Sequence, residues 1–448
     1  MSSEPVAQCT VAILAPSVAG DRTVLCEASR GSPRLPTVQV AIEPMTDTIC
    51  QAVDARLGVQ TTLLRANTER WNAKWDAEAM FVEVEPLAQE PVDGLRWVPV
   101  DEVDLTRIGP DWARPAVAGW LSERVNGWSP LRPQWSRPGW LAEAGAWMQD
   151  AMRDAGFREP QAASIHYLWG ITAVLVAESL DGRAFLKASG DRFHHEGVVT
   201  QALAKESPDL LPDVCAVEPE RGWMLMRDFG SSDLGDNPPE TWGSGFAALG
   251  TLQRTWLGRG EELIAAGAEV RPLEELASWV MATKDDDELL GQLDADERTT
   301  WLRDLGFYVG VCERLADSGP GPTLVHGDFH PWNVALRDGQ PLLYDWTDAC
   351  LSHPFVDLVT YVMRTPDAGL RGTLLREYLD GWRGHVPGSG EADIVELCLV
   401  GGAVFQANTY AQLIPTVMPE DLSHLRGGDA EWIQRALRYR DQGLAAAY

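Results

Sequence analysis

Apolar and polar residues alternate in short runs along the first hundred positions. "CTVAILAP", "RTVLCEA" and "AMFVEVEPL" each read as a strand. In "TDTICQAVDARLG" the period changes: Ile49, Val53 and Leu57 fall at i, i+4 and i+8, and Gly58 follows, which predicts an amphipathic helix closed by a glycine. Residues 1–110 are therefore expected to form a small α+β unit. From about 110 to 147 the pattern breaks. Pro115, Pro133 and Pro138 punctuate it, and tryptophans recur at 112, 120, 128, 135, 140 and 147. This predicts a connector, 111–150, buried by its tryptophans against the domains it joins.

Alternation returns at Ala163. "ASIHYLWGITAVLVAESLDGRAFLKAS" carries a D-G turn between alternating runs, the signal of a hairpin. A helix-like segment from about 194 to 205 and a strand at "GWMLMRDF" follow, and beyond Gly230 the period is mostly helical. The expectation is a β-rich part, 151–230, joined to a helical part, 231–448. One stretch interrupts the helices: "LVHGDFHPWNVALRDGQPLLYDWTDA", Leu324 to Ala349, sets polar residues around two short apolar runs and a turn.

Composition narrows the function classes. With 448 residues, 45% of them hydrophobic, the chain is long enough for two or three domains. A formal charge of -29 argues against nucleic-acid binding, which needs clustered Lys and Arg. An acidic surface suits a cationic small molecule, although its plainer meaning is solubility. The seven cysteines are odd in number and form no CxxC pair, so reduced thiols in the cytoplasm are expected. "MSSEPVAQCT" lacks a basic stretch followed by an apolar one, and no apolar run of roughly 18 residues is read, so neither export nor a membrane is expected.

The interrupting stretch carries the chemistry. Asp328 and Asn333 lie five positions apart, and Asp345 follows twelve later at the end of "PLLYDW". A loop rising from Asp328 to Asn333 and a hairpin returning with Asp345 would gather three oxygen-bearing side chains at one mouth. An Asn offers a metal a neutral oxygen and an Asp a charged one. Asp328 is left to face a substrate. Phosphoryl transfer needs this set: metal ions bridging nucleotide phosphates, oxygen ligands holding them, a carboxylate at the attacking hydroxyl and a cation on the phosphates.

"HGDFHPWN" matches the H-x-D-x-x-x-x-N loop of the aminoglycoside phosphotransferase and choline kinase family, small-molecule relatives of the protein kinases. "YDWTDA" stands where the metal-binding Asp of that fold lies. The resemblance implies an α+β, bilobal, protein-kinase-like fold with a small β-rich lobe and a large helical lobe. It implies Asp328 as the catalytic carboxylate, Asn333 and Asp345 as Mg²⁺ ligands, and His326 and Asp357 of "HPFVDL" as supports of the loop. The same fold implies a strand Lys for the phosphates, Lys187 of "GRAFLKAS", and a helix Glu to hold it, Glu196 of "HHEGVVTQALA". "GWMLMRDFG" resembles the strand linking the lobes, where main-chain groups around Met226 to Asp228 would meet adenine. The Gly-rich loop of protein kinases is absent, with only Gly170 of "HYLWGITA" at the turn, and the resemblance leaves the backbone amides near Trp169 to Thr172 as the groups that could cover the phosphates.

The N-terminal stretch resembles a Nudix hydrolase whose box has lost its metal ligands. With Gly58 and Val59 aligned on the end of the box, Glu43 falls on its first Glu. Gln51 and Ala52 replace its R-E, and Ala55 and Arg56 its E-E. "LRWVPVDEVDL" resembles the strand and helix start that close that fold. A non-catalytic Nudix-like domain at 1–110 follows from this. The function implied for the whole chain is transfer of the γ-phosphoryl group of ATP or GTP to a hydroxyl of a small molecule such as an aminoglycoside or amino sugar. The helical part, including "ANTYAQLIPTVMPEDL", would build the acceptor pocket. The rival reading is a kinase-like protein that binds nucleotide or metabolite without catalysis, against which the intact Asp328, Asn333, Asp345 and Lys187 count.

Overall fold

The structure is a computed structural model that describes residues 8–16, 23–27, 33–41, 46–71, 77–87, 94–230, 232–385 and 391–446. Glu43 lies outside them. The chain divides into two compact units, residues 1–190 with 416–424, and residues 191–415 with 425–448.

The first unit begins with seven described elements: β1 (Gln8–Leu14), β2 (Thr23–Glu27), β3 (Thr37–Ala41), α1 (Thr46–Leu57), β4 (Thr61–Trp71), β5 (Ala77–Pro86) and β6 (Leu95–Pro99). Strand β1 runs antiparallel to β3, with Val11 opposite Val38, and parallel to β5, with Val11 opposite Met80. β4 closes the sheet against β5, and β2 and β6 make a separate antiparallel pair. Helix α1 lies where the 3.6-residue period places it. Its Val53 and Leu57 are fully buried in a cluster with Leu63 and Val82, and Gly58 ends it at φ +67°.

The Trp-rich stretch is more ordered than its prolines suggest. It forms α2 (Arg114–Asn126) and α3 (Trp140–Asp154), with a 3₁₀ turn at Gln134–Ser136 between them. Pro115 opens α2 instead of breaking it, because a proline at the first helical turn has no amide to leave unbonded. Trp120 packs with Phe81 and Val98, Trp135 and Trp140 are buried, and Trp128 is exposed. The expected hairpin follows as β7 (Ser164–Leu168), β8 (Thr172–Ala177) and β9 (Ala184–Ser189), all antiparallel.

The second unit opens with α4 (Glu196–Glu206), β10 (Val214–Glu218) and β11 (Trp223–Arg227), the last two antiparallel. It continues through α5 (Gly243–Thr255) and further helices. Two small β elements interrupt these: strand Thr323–Val325, paired with Cys350–Ser352, and the hairpin Val334–Arg337 with Gln340–Leu343. One apolar core joins Leu249, Leu324, Phe329, Trp346 and Val404. The order of elements is that of the α+β, protein-kinase-like fold.

One expectation needs correcting. A window at Ile394–Thr416, in the helix Glu391–Leu413 and just past it, is long and apolar enough to cross a membrane by length and composition, and 78% of it is buried in the protein. Polar residues break its continuous run, which hid it, and they are used internally: Gln406 and Asn408 bond to Gly327 and Arg271.

Candidate active site

The mouth is built at the backbone first. Val334 pairs with Leu343, so Asn333 and Tyr344 emerge side by side, and the Tyr344 amide donates to the Asn333 carbonyl at 3.1 Å. Asn333 Nδ2 donates to the Asp328 carbonyl at 2.9 Å. Only the nitrogen of the amide can make that bond, so Oδ1 is the atom left for another partner. Asp328, Asn333 and Asp345 are thereby tied to one end of the hairpin. Asp345 takes φ +66°, a left-handed conformation that Asp tolerates better than most residues, and the Thr347 hydroxyl donates to its Oδ1 at 3.0 Å. The buried Trp346 anchors the next position.

The loop before Asp328 is held from below. Gly327 has φ +87°, and a Cβ there would lie 2.4 Å from the Asp348 carbonyl oxygen, so only glycine fits. Asp357 Oδ1 accepts from the Gly327 amide at 2.8 Å, and its Oδ2 accepts from the His326 amide at 2.8 Å and from Gln253 at 2.9 Å. Gln406 donates to the Gly327 carbonyl and Thr360 to that of Phe329, each at 2.5 Å. His326 donates from Nε2 to the Tyr344 carbonyl at 3.0 Å, because a carbonyl can only accept, and its ring lies tilted at 40° against Trp346. His326 and Asp357 are thus the loop supports that the sequence implies.

Asp328 itself is about half exposed, with Oδ2 3.6 Å from His330 Nε2. Burial pushes the Asp348 carboxyl up to about 7, helped by the charges of Asp328 and Asp345 and opposed by Arg271 and Arg192. Burial also raises Asp357 to about 7 against the amides it accepts, and lowers His326 to about 4. The Asn333 amide oxygen and the Asp345 carboxylate are hard donors of the kind Mg²⁺ takes, and two protein ligands leave places for water and phosphate. Among the described residues, no group of three or more His, Cys, Asp or Glu is gathered as an all-protein metal site.

The remaining candidates are spread over both units. Lys187 lies on β9 opposite Val174, in the first unit, and is 8% exposed. Glu196 opens α4 in the second and is 2% exposed. The next residue, Gly197, lets α4 approach β11, since a Cβ there would sit 3.3 Å from Met224. Met226 is buried opposite Val214 on β11. Past it the Arg227 amide is already bonded to Asp213, and Asp228 Oδ1 accepts from the Gly230 amide at 2.9 Å, an Asx turn that ends the strand.

Several residues of the site carry no sequence signal. Tyr344 donates its hydroxyl toward Asp233 Oδ1 at 3.0 Å and the Trp332 carbonyl at 2.6 Å. Trp332 bonds Asp236, and its ring covers Gly235. Residues 232–237 therefore strap the loop and hairpin that carry Asp328 and Asn333, with Asp233 bridged to Ala335. The sequence held Tyr344 and Asp348 inside the quoted motif, but nothing in it pointed to Asp233, Gln253 or Gln406.

Residues 185–387 match the model of the phosphotransferase enzyme family APH. No curated protein matches the chain at a significant level. Among solved structures, a choline/ethanolamine kinase family protein from Mesorhizobium loti is similar at 17% identity and a TM-score of 0.47, covering 68% of this chain and 98% of that one. A macrolide 2'-phosphotransferase from Brachybacterium faecium gives 18% and 0.44, with 64% and 97% covered. The GDP complex of aminoglycoside 2'-phosphotransferase-IIIa gives 15% and 0.46, with 67% and 98%. At TM-scores below 0.5 these likenesses add no weight to the family match. The stretch 185–387 that matches the phosphotransferase enzyme family model holds Lys187, Glu196 and everything from Asp328 to Asp357.

Proposed function

We propose that the chain transfers the γ-phosphoryl group of ATP or GTP to a hydroxyl of a small molecule, an aminoglycoside or amino sugar being the first class to try. The observation that carries the reading is the chain of bonds from the Asp328 carbonyl through Asn333 to Tyr344, which sets the half-exposed Asp328 beside two oxygen donors. In this reading Asp328 orients the acceptor hydroxyl and takes its proton. Asn333 and Asp345 hold Mg²⁺, which when bound neutralises charge developing on the phosphates. Lys187 binds the phosphates with Glu196 orienting it, and main-chain groups around Met226 and Asp228 receive the base. The acidic surroundings, Asp348 included, suit a cationic acceptor. A cytoplasmic setting fits seven free cysteines. For residues 1–110, a Nudix-like fold without hydrolysis remains our reading of the substituted box.

The test is nucleotide turnover with Mg²⁺ against aminoglycosides, amino sugars, neutral sugars, choline-like alcohols and macrolides. Acceptor-dependent ADP or GDP release is expected, falling about 10²- to 10⁴-fold in kcat for Asp328→Asn with nucleotide affinity retained. Unchanged turnover in that variant sinks the assignment of Asp328. Tight nucleotide binding with no turnover on any acceptor would instead favour the non-catalytic, nucleotide-binding reading.

A further inference from the structure

The β7–β8 turn, Trp169 to Thr172, is held on every side by residues of the first unit. Its Trp169 amide donates to the Thr172 carbonyl at 2.8 Å, and the Gly190 amide donates to the Ile171 carbonyl at 3.0 Å. The Trp169 carbonyl accepts from the indole Nε1 of Trp135, 34 positions earlier, at 2.8 Å. Behind the turn stand Asp421 and Val417 of the 416–424 segment. A Cβ on Gly170 would lie 2.8 Å from the Asp421 Cβ, so glycine is needed there for the close approach. The Gly170 and Ile171 amides donate to no acceptor among the described residues.

Trp135 is itself fixed through a buried charge. It sits 2% exposed in the 3₁₀ turn Gln134–Ser136. Arg132, its side chain wholly buried, donates from Nε and Nη2 to the Ser136 carbonyl at 3.0 and 2.6 Å. The same guanidinium is clasped by Glu83 of β5 at 2.7 Å and by Glu123 of α2 at 2.6 Å. Arg65 of β4 lies 3.9 Å from Glu83, so two buried acids face two buried guanidinium groups. A buried pair of this kind is a costly way to gain stability, but removing one partner is more costly still, which makes it a rigid fixture. The path runs unbroken from the N-terminal sheet: Glu83, Arg132, Ser136, Trp135, Trp169.

Resting on the phosphotransferase reading above, we propose that the N-terminal unit braces the turn that covers the nucleotide phosphates, with Trp135 as the positioning residue and Arg132 its anchor to Glu83. A turn with one glycine and two unspent amides must be held still to offer them to an anion, and donors held in place cost no ordering on binding. The N-terminal domain then needs no chemistry of its own. It supplies stiffness where the sequence lacks the Gly-rich loop.

The experiment uses the full chain. The Kd of Mg·ATP and of Mg·GTP is measured by calorimetry for wild type, Trp135→Phe, and the double variant Glu83→Gln with Arg132→Met, alongside melting temperature and acceptor KM. Phenylalanine removes the indole donor together with the second ring of the indole, so at a site 2% exposed a fall in melting temperature is expected from the lost packing alone. Loss of one neutral hydrogen bond predicts nucleotide binding about 3- to 10-fold weaker in Trp135→Phe, with acceptor KM unchanged. The double variant, if folded, shows the same weakening; if it does not fold, Trp135→Phe decides alone. Wild-type affinity in Trp135→Phe, or a loss matched by an equal rise in acceptor KM, overturns the brace and leaves the phosphotransferase reading standing. Wild type that binds neither nucleotide overturns both.

Discussion

Asp357 shows what one buried carboxylate does for the loop. Desolvation raises it to about 7, while both its oxygens accept from amide donors that favour the charged form. Asp357→Asn presents an NH₂ to at least one of those donors. The expected cost is about 1–3 kcal/mol in urea unfolding, from a buried N–H left without an acceptor. An Asn variant as stable as wild type would mean that the carboxyl is protonated in the native protein. The residues legible in the sequence, Asp328, Asn333 and Asp345, are those whose spacing along the chain is set by one loop and one hairpin. Gln253 and Gln406 were not legible, because each reaches the loop from a helix 70 or more positions away and sits on it as an ordinary polar residue.

At the scale of elements, α1, α4 and the strands β8, β9 and β11 follow the period of their apolar residues. β4 escaped notice because "RANTERW" is polar, and α2 and α3 because their prolines and tryptophans resemble a connector. The strap at 232–237 escaped too, since its grip is made by side chains. It meets the 334–343 hairpin through Tyr344, whose hydroxyl lies between Asp233 and the Trp332 carbonyl. Tyr344→Phe removes that link one residue before Asp345 while keeping the ring that packs against Phe229. On the function proposed above, the hairpin end should then hold Asn333 and Asp345 less firmly for Mg²⁺. Half-maximal turnover is expected to need about 3- to 10-fold more Mg²⁺, with acceptor KM unchanged. Equal Mg²⁺ dependence in the two proteins would restrict the strap to a packing role.

For the whole molecule, a charge of -29 and several buried titratable groups make pH the informative variable. Burial holds His353 at about 3 and His326 at about 4, both below the ordinary 6.5. Between those values the unfolded chain binds protons that the folded one refuses. The histidines therefore contribute stability that is complete above 6.5 and is lost as pH falls toward their folded values. Asp348 and Asp357, raised from 3.8 to about 7, act in the opposite sense: their contribution is present below 3.8 and is lost as pH rises through about 7. Between pH 4 and 6.5 the two pairs offset one another, so the wild-type curve alone reports little. His353→Asn separates them. The asparagine keeps an acceptor for the Phe355 amide, which His353 Nδ1 now takes at 3.3 Å, and removes the titration. The difference in unfolding free energy, wild type minus variant, is expected to fall by about 1.4 kcal/mol for each pH unit below 6.5, one proton's worth, and to be constant above it. A difference that stays flat from pH 7 to 4.5 would mean that His353 is protonated in the folded protein, and that its place beside the Phe355 ring is not the dry one the structure gives it.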